Sequence, residues 1–200
     1  KVHASNWALV TRVLTKAEIA ADPKAQAAMD TEFSNLRNKP VWLEKQVREA
    51  AHLIADARAS GQKIHLGRVF GICGVKGDEL PEDHPLKKRK GRFVFEGSDV
   101  RDEHGDKAVF AELSSSPASL ESSKMVDAFG LLPGHDIPAS DAEQAYVQAV
   151  LTGTPTWVRL PKDRWPPEWH GMKDPVCPLR LALYGHPDAG GCWEAHCAEK

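Results

Sequence analysis

The segment Lys63-Ile64-His65-Leu66-Gly67-Arg68-Val69-Phe70-Gly71-Ile72-Cys73-Gly74-Val75 sets the architecture of this chain. Its β-branched and aromatic residues lie among glycines, a composition that predicts a strand with a bend at Gly71. A turn-rich stretch and a basic run follow. In the next segment, Arg92-Phe93-Val94-Phe95-Glu96, aromatic residues stand at every second position. Such alternation predicts a half-buried strand, so we expect the two segments to form a β-hairpin.

Helical segments are predicted on both sides of this hairpin. Between residues 22 and 38, apolar residues recur every three or four positions, and Asp22-Pro23 matches a helix start with the aspartate as cap. A second helical stripe covers residues 43–59 and ends at Gly61. Farther along, the sequence predicts helices at residues 119–130 and 142–151, an extended piece at 135–140, a short strand at 157–160 and a final helix after Tyr184-Gly185. The predicted fold class is therefore α+β, with an antiparallel sheet packed on helices.

The overall composition fits one globular domain or two small subdomains. Of the 200 residues, 42% are hydrophobic and 27% are charged, and no run approaches the roughly 20 apolar residues of a membrane span. The first residues lack the charged-then-apolar pattern of a signal peptide. With a formal charge of −2, any nucleic-acid binding has to be local, and four cysteines are too few for a disulfide scaffold. We expect an intracellular protein, cytoplasmic or nuclear.

One carboxylate and one aromatic residue carry the strongest chemical signal. In Ser140-Asp141-Ala142-Glu143-Gln144-Ala145-Tyr146, Asp141 closes an extended segment and Tyr146 follows five positions later. Nucleotidyl transfer uses two divalent ions held by hard oxygen ligands, which a short aspartate at a strand end supplies. An aromatic ring just past the following turn can lie beneath an incoming sugar. The alternative is an aspartate that caps a helix and a tyrosine in the core.

This pattern resembles the first catalytic motif of reverse transcriptases from copia-type retrotransposon Pol polyproteins. Trp157-Val158-Arg159-Leu160-Pro161 stands where that family has a strand leading to a proline. Residues 179–193 resemble its Leu-Tyr-Gly turn, which enters a helix that carries a tryptophan. Upstream, Lys90-Gly91-Arg92-Phe93-Val94 matches the family's Lys-x-Arg strand, and Ala28-Met29 with Glu32 resembles its opening helix. The order and rough spacing of these motifs agree over residues 22–197.

The resemblance implies a polymerase fold and RNA-directed DNA synthesis, a two-metal nucleotidyl transfer. Residues 1–20 would form an N-terminal extension, residues 21–135 a fingers-like subdomain and residues 136–200 the start of a palm subdomain. The implied partners are an RNA or DNA template-primer and a deoxynucleoside triphosphate, and the implied cofactor is Mg²⁺.

The resemblance also assigns two catalytic residues and four nucleotide-binding residues. Asp141 would bind the catalytic Mg²⁺, and Tyr146 would exclude a sugar 2′-hydroxyl by its bulk. The nucleotide-binding set combines two cations that face the triphosphate with a turn that borders the nucleotide and template. Its members are Lys90, Arg92, Tyr184 and Gly185.

Two departures from the family pattern bear on activity. Where the family has Lys-Gln-Ala-Pro after the turn, this chain has Pro187-Asp188-Ala189-Gly190, which places an acidic residue where a basic one would meet nucleic acid. The family's Tyr/Phe-x-Asp-Asp hairpin is expected beyond Lys200, and one carboxylate cannot complete a two-ion site. We therefore expect an enzyme by family whose residues 1–200 alone are inactive. The alternative is a retained retrotransposon fragment that serves as a structural or interaction subunit without catalysis.

The basic run and a group of histidines and cysteines each have a structural interpretation as well as a functional one. The basic run at residues 87–92 is also typical of a solvated hairpin tip or a localisation signal. His186, Cys192, His196 and Cys197 are zinc-ligand types, but their spacing lacks a Cys-x-x-Cys knuckle, which favours ordinary core and surface residues.

Overall fold

A computed structural model describes residues 10–110, 119–138 and 141–200 of the chain. The described residues form a mixed α+β fold with five α-helices around one six-stranded mixed sheet. The helices are α1 (Lys16–Ala21), α2 (Pro23–Asn38), α3 (Ala50–Ser60), α4 (Leu120–Gly130) and α5 (Ala189–Ala198). The strands are β1 (Thr11–Val13), β2 (Arg48–Glu49), β3 (His65–Lys76), β4 (Lys88–Phe95), β5 (Thr156–Arg159) and β6 (Pro175–Pro178).

Strand β3 pairs with three other strands of the sheet, and it forms the predicted hairpin with β4. The two strands are antiparallel from the Val69–Phe95 pair to the Lys76–Lys88 pair. β1 is antiparallel to the last three residues of β3, whereas β5 is parallel to its first four. β6 then pairs with β5 and with β2. The prediction of a purely antiparallel sheet is therefore wrong, because the long connection from β4 brings β5 back in the direction of β3.

Helix α2 confirms the prediction for residues 22–38 in both its start and its buried face. The Asp22 side chain accepts hydrogen bonds from the backbone N–H groups of Lys24 and Ala25, and Pro23 occupies the first helical position. These contacts satisfy donors that a helix start leaves free. The buried side chains of this helix are Ala25, Met29, Phe33 and Leu36.

The helix predicted for residues 43–59 is shorter than expected. Residues Glu44–Gln46 form a 3₁₀ turn and β2 follows, so α3 begins at Ala50. The Leu43 N–H donates to the Pro178 carbonyl over 2.9 Å, and Arg48 pairs with Val176. Pairing with β6 thus takes backbone groups that a longer helix would use. The end at Gly61 is confirmed, in a left-handed conformation with φ of 68° that glycine adopts without strain.

An aromatic cluster joins α2 to the hairpin and forms the centre of the core. The Phe33 and Phe93 rings lie 4.9 Å apart, edge to face, and the Phe33 and Trp42 rings lie 5.3 Å apart. Phe95 is 2% exposed at the end of β4. Each such side chain contributes roughly 1.5–3 kcal/mol by burial, so α2 and β4 are held at a fixed distance.

The second half of the chain follows the predictions in part. α4, capped by Ser119, as well as β5 and α5 lie where the sequence places them. The helix predicted for residues 142–151 is only a 3₁₀ turn at Ala145–Gln148, preceded by Gln144 with a left-handed φ of 52°. Ala139 and Ser140, the end of the predicted extended piece, lie outside the described residues. Across the described ranges, no helix has the length and apolar character needed to cross a membrane.

Candidate functional site

Two residues of the basic run are held by acidic side chains. Arg89 pairs with Asp22 over 2.8 Å and with Glu82 over 2.6 Å, and its side chain is only 12% exposed. The Lys87 ammonium donates to the Asp78 and Leu80 carbonyls. The hydrogen bond from Arg89 holds the pKa of the Asp22 carboxyl below its ordinary value. The Arg89–Asp22 contact therefore fastens the hairpin to the start of α2, and Lys87 ties the loop of the hairpin together, which corrects the interpretation of the whole run as a solvated tip.

The alternate residues of the same run point to solvent. Lys88, Lys90 and Arg92 are exposed and form no ion pair with any residue of the described ranges. Gly91, between the latter two, packs on α2 so closely that a Cβ atom there would lie 2.7 Å from the Ala28 carbonyl oxygen. The close approach fixes the position of Lys90 and Arg92 relative to α2, while their charged ends stay available for an anion.

A glutamate on α2 faces these two cations. Glu32 is half-buried, and burial raises the pKa of its carboxyl, an effect that the charges of Lys90 and Arg92 oppose. Glu32 and Lys90 also line the same open pocket of about 330 Å³. The sequence resemblance included Glu32 only as part of a helix, not as a site residue. The sequence did contain a signal for Glu32 as a site residue, because this acidic residue stands directly beside the apolar stripe of α2.

The Tyr184-Gly185 turn is joined directly to the end of β4. The Phe95 N–H donates to the Tyr184 carbonyl over 2.7 Å. Gly185 has a φ of 89°, and a Cβ atom at this position would lie 2.2 Å from the Phe95 carbonyl oxygen. Only glycine fits both constraints. The turn and the strand that carries Lys90 and Arg92 therefore form one continuous surface.

Tyr146 completes this surface from the 3₁₀ turn. Its ring centroid lies 4.8 Å from that of Tyr184, with the ring planes 62° apart. A backbone hydrogen bond of 2.9 Å from the Ala182 N–H to the Ala149 carbonyl ties the two segments together. Burial raises the pKa of the Tyr184 phenol, Arg92 lowers it, and Tyr146 and Asp141 raise it further. Arg92 and both tyrosines are thus within electrostatic range of one another.

Asp141 lies at the margin of this group. It is exposed and sits in an irregular segment before the 3₁₀ turn, and residues 139–140 just before it lie outside the described residues. Its charge still reaches Tyr184, as the pKa of that phenol shows. The structure therefore brings Arg92, Tyr146, Tyr184 and Gly185 together, with Lys90 beside Glu32 and Asp141 at the edge. In the described part of the chain, no three histidine, cysteine or acidic residues are grouped as metal ligands.

A buried histidine supports the turn from below. The His186 Nδ1 atom accepts a hydrogen bond of 3.1 Å from the Asp188 N–H, so its Nε2–H donates to Thr156 Oγ1 over 3.2 Å. The Thr156 hydroxyl donates in turn to the Thr154 carbonyl. Burial lowers the pKa of His186 to about 4, and the imidazole remains neutral. The sequence suggested His186 only as a zinc ligand and missed this role.

The acidic residue that departs from the family pattern is not presented to a nucleic acid. Asp188 is 8% exposed beneath the turn, and burial raises the pKa of its carboxyl.

Comparison with protein-family models, with curated proteins and with solved structures gives no match to this chain.

Proposed function

We propose that this chain carries the fingers and the opening of the palm of a copia-type reverse transcriptase. One observation carries the proposal: the Tyr184-Gly185 turn is hydrogen-bonded to the end of β4 and packed on Tyr146. The three segments involved lie far apart in the sequence, and each corresponds to a motif of the same family. Residues 21–135 would be the fingers-like subdomain, and residues 136–200 the partial palm.

Each exposed group of this surface has a role in binding a deoxynucleoside triphosphate. Lys90 and Arg92 supply cations for the triphosphate, because charge-assisted hydrogen bonds to phosphate are strong and neither side chain forms an ion pair in the described ranges. The Tyr146 ring supplies a flat apolar face for the sugar and excludes a 2′-hydroxyl. Tyr184 and Gly185 border the nucleotide and the template, with Gly185 exposed at the turn.

Asp141 is the residue suited to Mg²⁺. An exposed carboxylate is the hard oxygen ligand that this ion prefers, but one carboxylate leaves most of an octahedral shell to water and phosphate. In the proposed reaction, a primer 3′-hydroxyl would attack the α-phosphate and pyrophosphate would leave, and bound Mg²⁺ would stabilise the entering and leaving oxygens. A second ion would need acidic ligands besides Asp141.

A binding measurement tests the proposal. Fluorescence anisotropy of a labelled dTTP, with an RNA–DNA primer–template and Mg²⁺, is compared for the unchanged chain and the double variant Lys90→Ala/Arg92→Ala. Loss of the two cations that face the triphosphate should weaken binding and reduce its dependence on salt concentration. Lys63→Ala/Lys107→Ala is the matched control, since both are exposed lysines without an ion pair in the described ranges. Equal affinity in both double variants would reject the assigned surface.

The second candidate function is an interaction subunit without catalysis, and helix α4 favours it. No residue of α4 is buried, and Met125, Phe129 and Leu131 are 73%, 57% and 86% exposed. Exposed apolar surface of this kind marks protein contacts. The same binding assay discriminates the two functions when Met125→Ser/Phe129→Ser is added. Polymerase ancestry predicts that only the Lys90/Arg92 variant loses nucleotide binding, whereas an interaction subunit predicts no specific binding by any of these proteins.

A further inference from the structure

One edge of β3 is only partly covered. β5 pairs with His65 to Arg68, and β1 pairs with residues 74–76. The His65 N–H donates to the Pro155 carbonyl, and the Leu14 N–H donates to the Cys73 carbonyl. Both bonds use backbone groups of odd-numbered residues of β3, whereas β4 bonds to even-numbered residues. β5 and β1 therefore lie along the same edge of β3, opposite β4. Between them, no strand of the described ranges pairs with residues 69–72 on this edge.

Gly71 is the residue that presents its backbone to this gap. On the β4 edge the Arg68 carbonyl accepts from the Glu96 N–H, and the register with β4 is unbroken to Lys76. Backbone polar groups alternate between the two edges of a strand. The Gly71 N–H and C=O therefore point into the gap, where neither the pairing of β3 with β1 nor its pairing with β5 reaches them. A free donor and acceptor on a strand edge form a template for another extended chain.

A groove of about 750 Å³ lies beside Gly71. Its apolar lining comes from two helices, the hairpin and the segment after β5, and comprises Ile19, Met29, Val69, Phe93, Leu160 and Pro161. Its rim carries one acidic residue, Asp163, and five basic residues, which are Lys16, Arg68, Arg159, Lys162 and Arg164. Glu96, Asp174 and Asp30 pair with the three arginines, whereas Lys16 and Lys162 have no ion pair in the described ranges.

We propose that this gap binds a short extended segment of a partner polypeptide, which adds a strand at Gly71. One apolar side chain of the segment enters the groove, and acidic residues on either side meet Lys16 and Lys162. A peptide fits better than a nucleic acid, because its backbone offers the alternating donor and acceptor that Gly71 requires. The apolar floor also suits a side chain rather than a phosphodiester. This inference is independent of the proposed polymerase function.

Amide hydrogen exchange followed by NMR tests the pairing directly. The probe is the synthetic peptide acetyl-EVFVE-amide, added at saturation to the full chain. In the free protein the Gly71 amide should exchange rapidly, while the Ile72 amide, paired with β4, is protected. The probe should slow exchange of Gly71 by roughly tenfold or more, the effect of one stable hydrogen bond. The same peptide with an N-methyl group on its central residue should give no protection.

Charge variants and a competitor make the outcome decisive. Lys16→Glu/Lys162→Glu should weaken peptide binding roughly tenfold by replacing attraction with repulsion, whereas Lys63→Glu/Lys107→Glu should bind as the unchanged chain does. Protection of Gly71 in the free protein would overturn the proposal, because the edge would already be paired within the chain. Oligothymidylate that protects Gly71 when the peptide does not would also overturn it, in favour of nucleic acid.

Discussion

Both faces of β4 carry basic residues, but those on one face hold the fold together and those on the other are exposed. On one face, Arg89 is bound by Asp22 and Glu82, and Phe93 is buried against Phe33. On the other face, Lys90 and Arg92 are exposed and unpaired among the described residues. A run of basic residues that looks uniform in sequence is thus divided by strand alternation into a structural half and a half available for ligands.

The largest expected difference between the faces is in stability. Phe93→Ala removes a side chain that is 2% exposed and leaves a cavity against Phe33. It should lower the free energy of unfolding by about 3–5 kcal/mol, measured by urea denaturation. Val94→Ala, the neighbour on the half-exposed face, should cost about 1 kcal/mol or less. Similar costs for both variants would show that β4 does not have one buried and one open face.

The turn at the end of β4 should make the chain sensitive to acid through His186. Its pKa is about 4 in the folded chain against an ordinary 6.5, so the unfolded chain binds a proton first as pH falls. Stability from this group is complete above pH 6.5 and declines as pH falls towards 4, by a total on the order of 3 kcal/mol. Urea titrations across this range should show the decline, and His186→Gln should flatten it. An unchanged slope in the variant would contradict the neutral, buried assignment.

Arg89 and Lys90 are adjacent cations whose removal should have unequal effects on stability. Arg89→Ala should cost about 1–2 kcal/mol, because Asp22 and Glu82 lose their hydrogen-bonded partner. The pKa of Asp22 lies below its ordinary value, so this contribution is present above about pH 4 and lost in stronger acid. Lys90→Ala should change stability by about 0.5 kcal/mol or less. Equal losses at pH 7 would contradict the division of the run.

The smallest expected effect concerns Glu32. Burial raises the pKa of its carboxyl, so the stability it contributes is present below the ordinary value and is lost as pH rises through the folded value. Glu32→Gln should leave stability at pH 7 unchanged or slightly higher. It should also strengthen nucleotide binding about twofold, because Lys90 and Arg92 lose an opposing charge. Isothermal titration with dTTP measures this, and weaker binding would mean that Glu32 positions the cations rather than competing with the nucleotide.

Sequence patterns predicted the elements whose local signals agree with their surroundings. The Asp22-Pro23 start of α2, the alternation in β4 and the apolar run of β5 each specify their element without distant information. The β2–β6 pairing and the parallel β3–β5 pair depend on contacts more than a hundred and about ninety residues apart, respectively, which no local pattern encodes. Those contacts also shortened the helix predicted for residues 43–59.

The candidate site was predictable only through its motifs. Tyr146 packs on Tyr184, and the Gly185 φ and its close approach to Phe95 fix the turn beside them. Glu32 and His186 act through burial and partners from other segments, so their sequence positions alone gave no sign of their pKa shifts. Asp141 itself lies in irregular structure before the 3₁₀ turn, and residues 139–140, the end of the predicted extended piece, lie outside the described residues.

Photochemical labelling with an azido-deoxyuridine triphosphate tests the central claim most directly. The full chain is irradiated with the probe and Mg²⁺, and the labelled peptides are identified by mass spectrometry with and without excess dTTP. Polymerase ancestry predicts that label falls on β4 and on the segments around Tyr146 and Tyr184, is displaced by dTTP, and disappears in Lys90→Ala/Arg92→Ala. Label on α3 or around Lys107 instead, or labelling of β4 that dTTP does not displace, would contradict the assignment of this surface to a nucleotide.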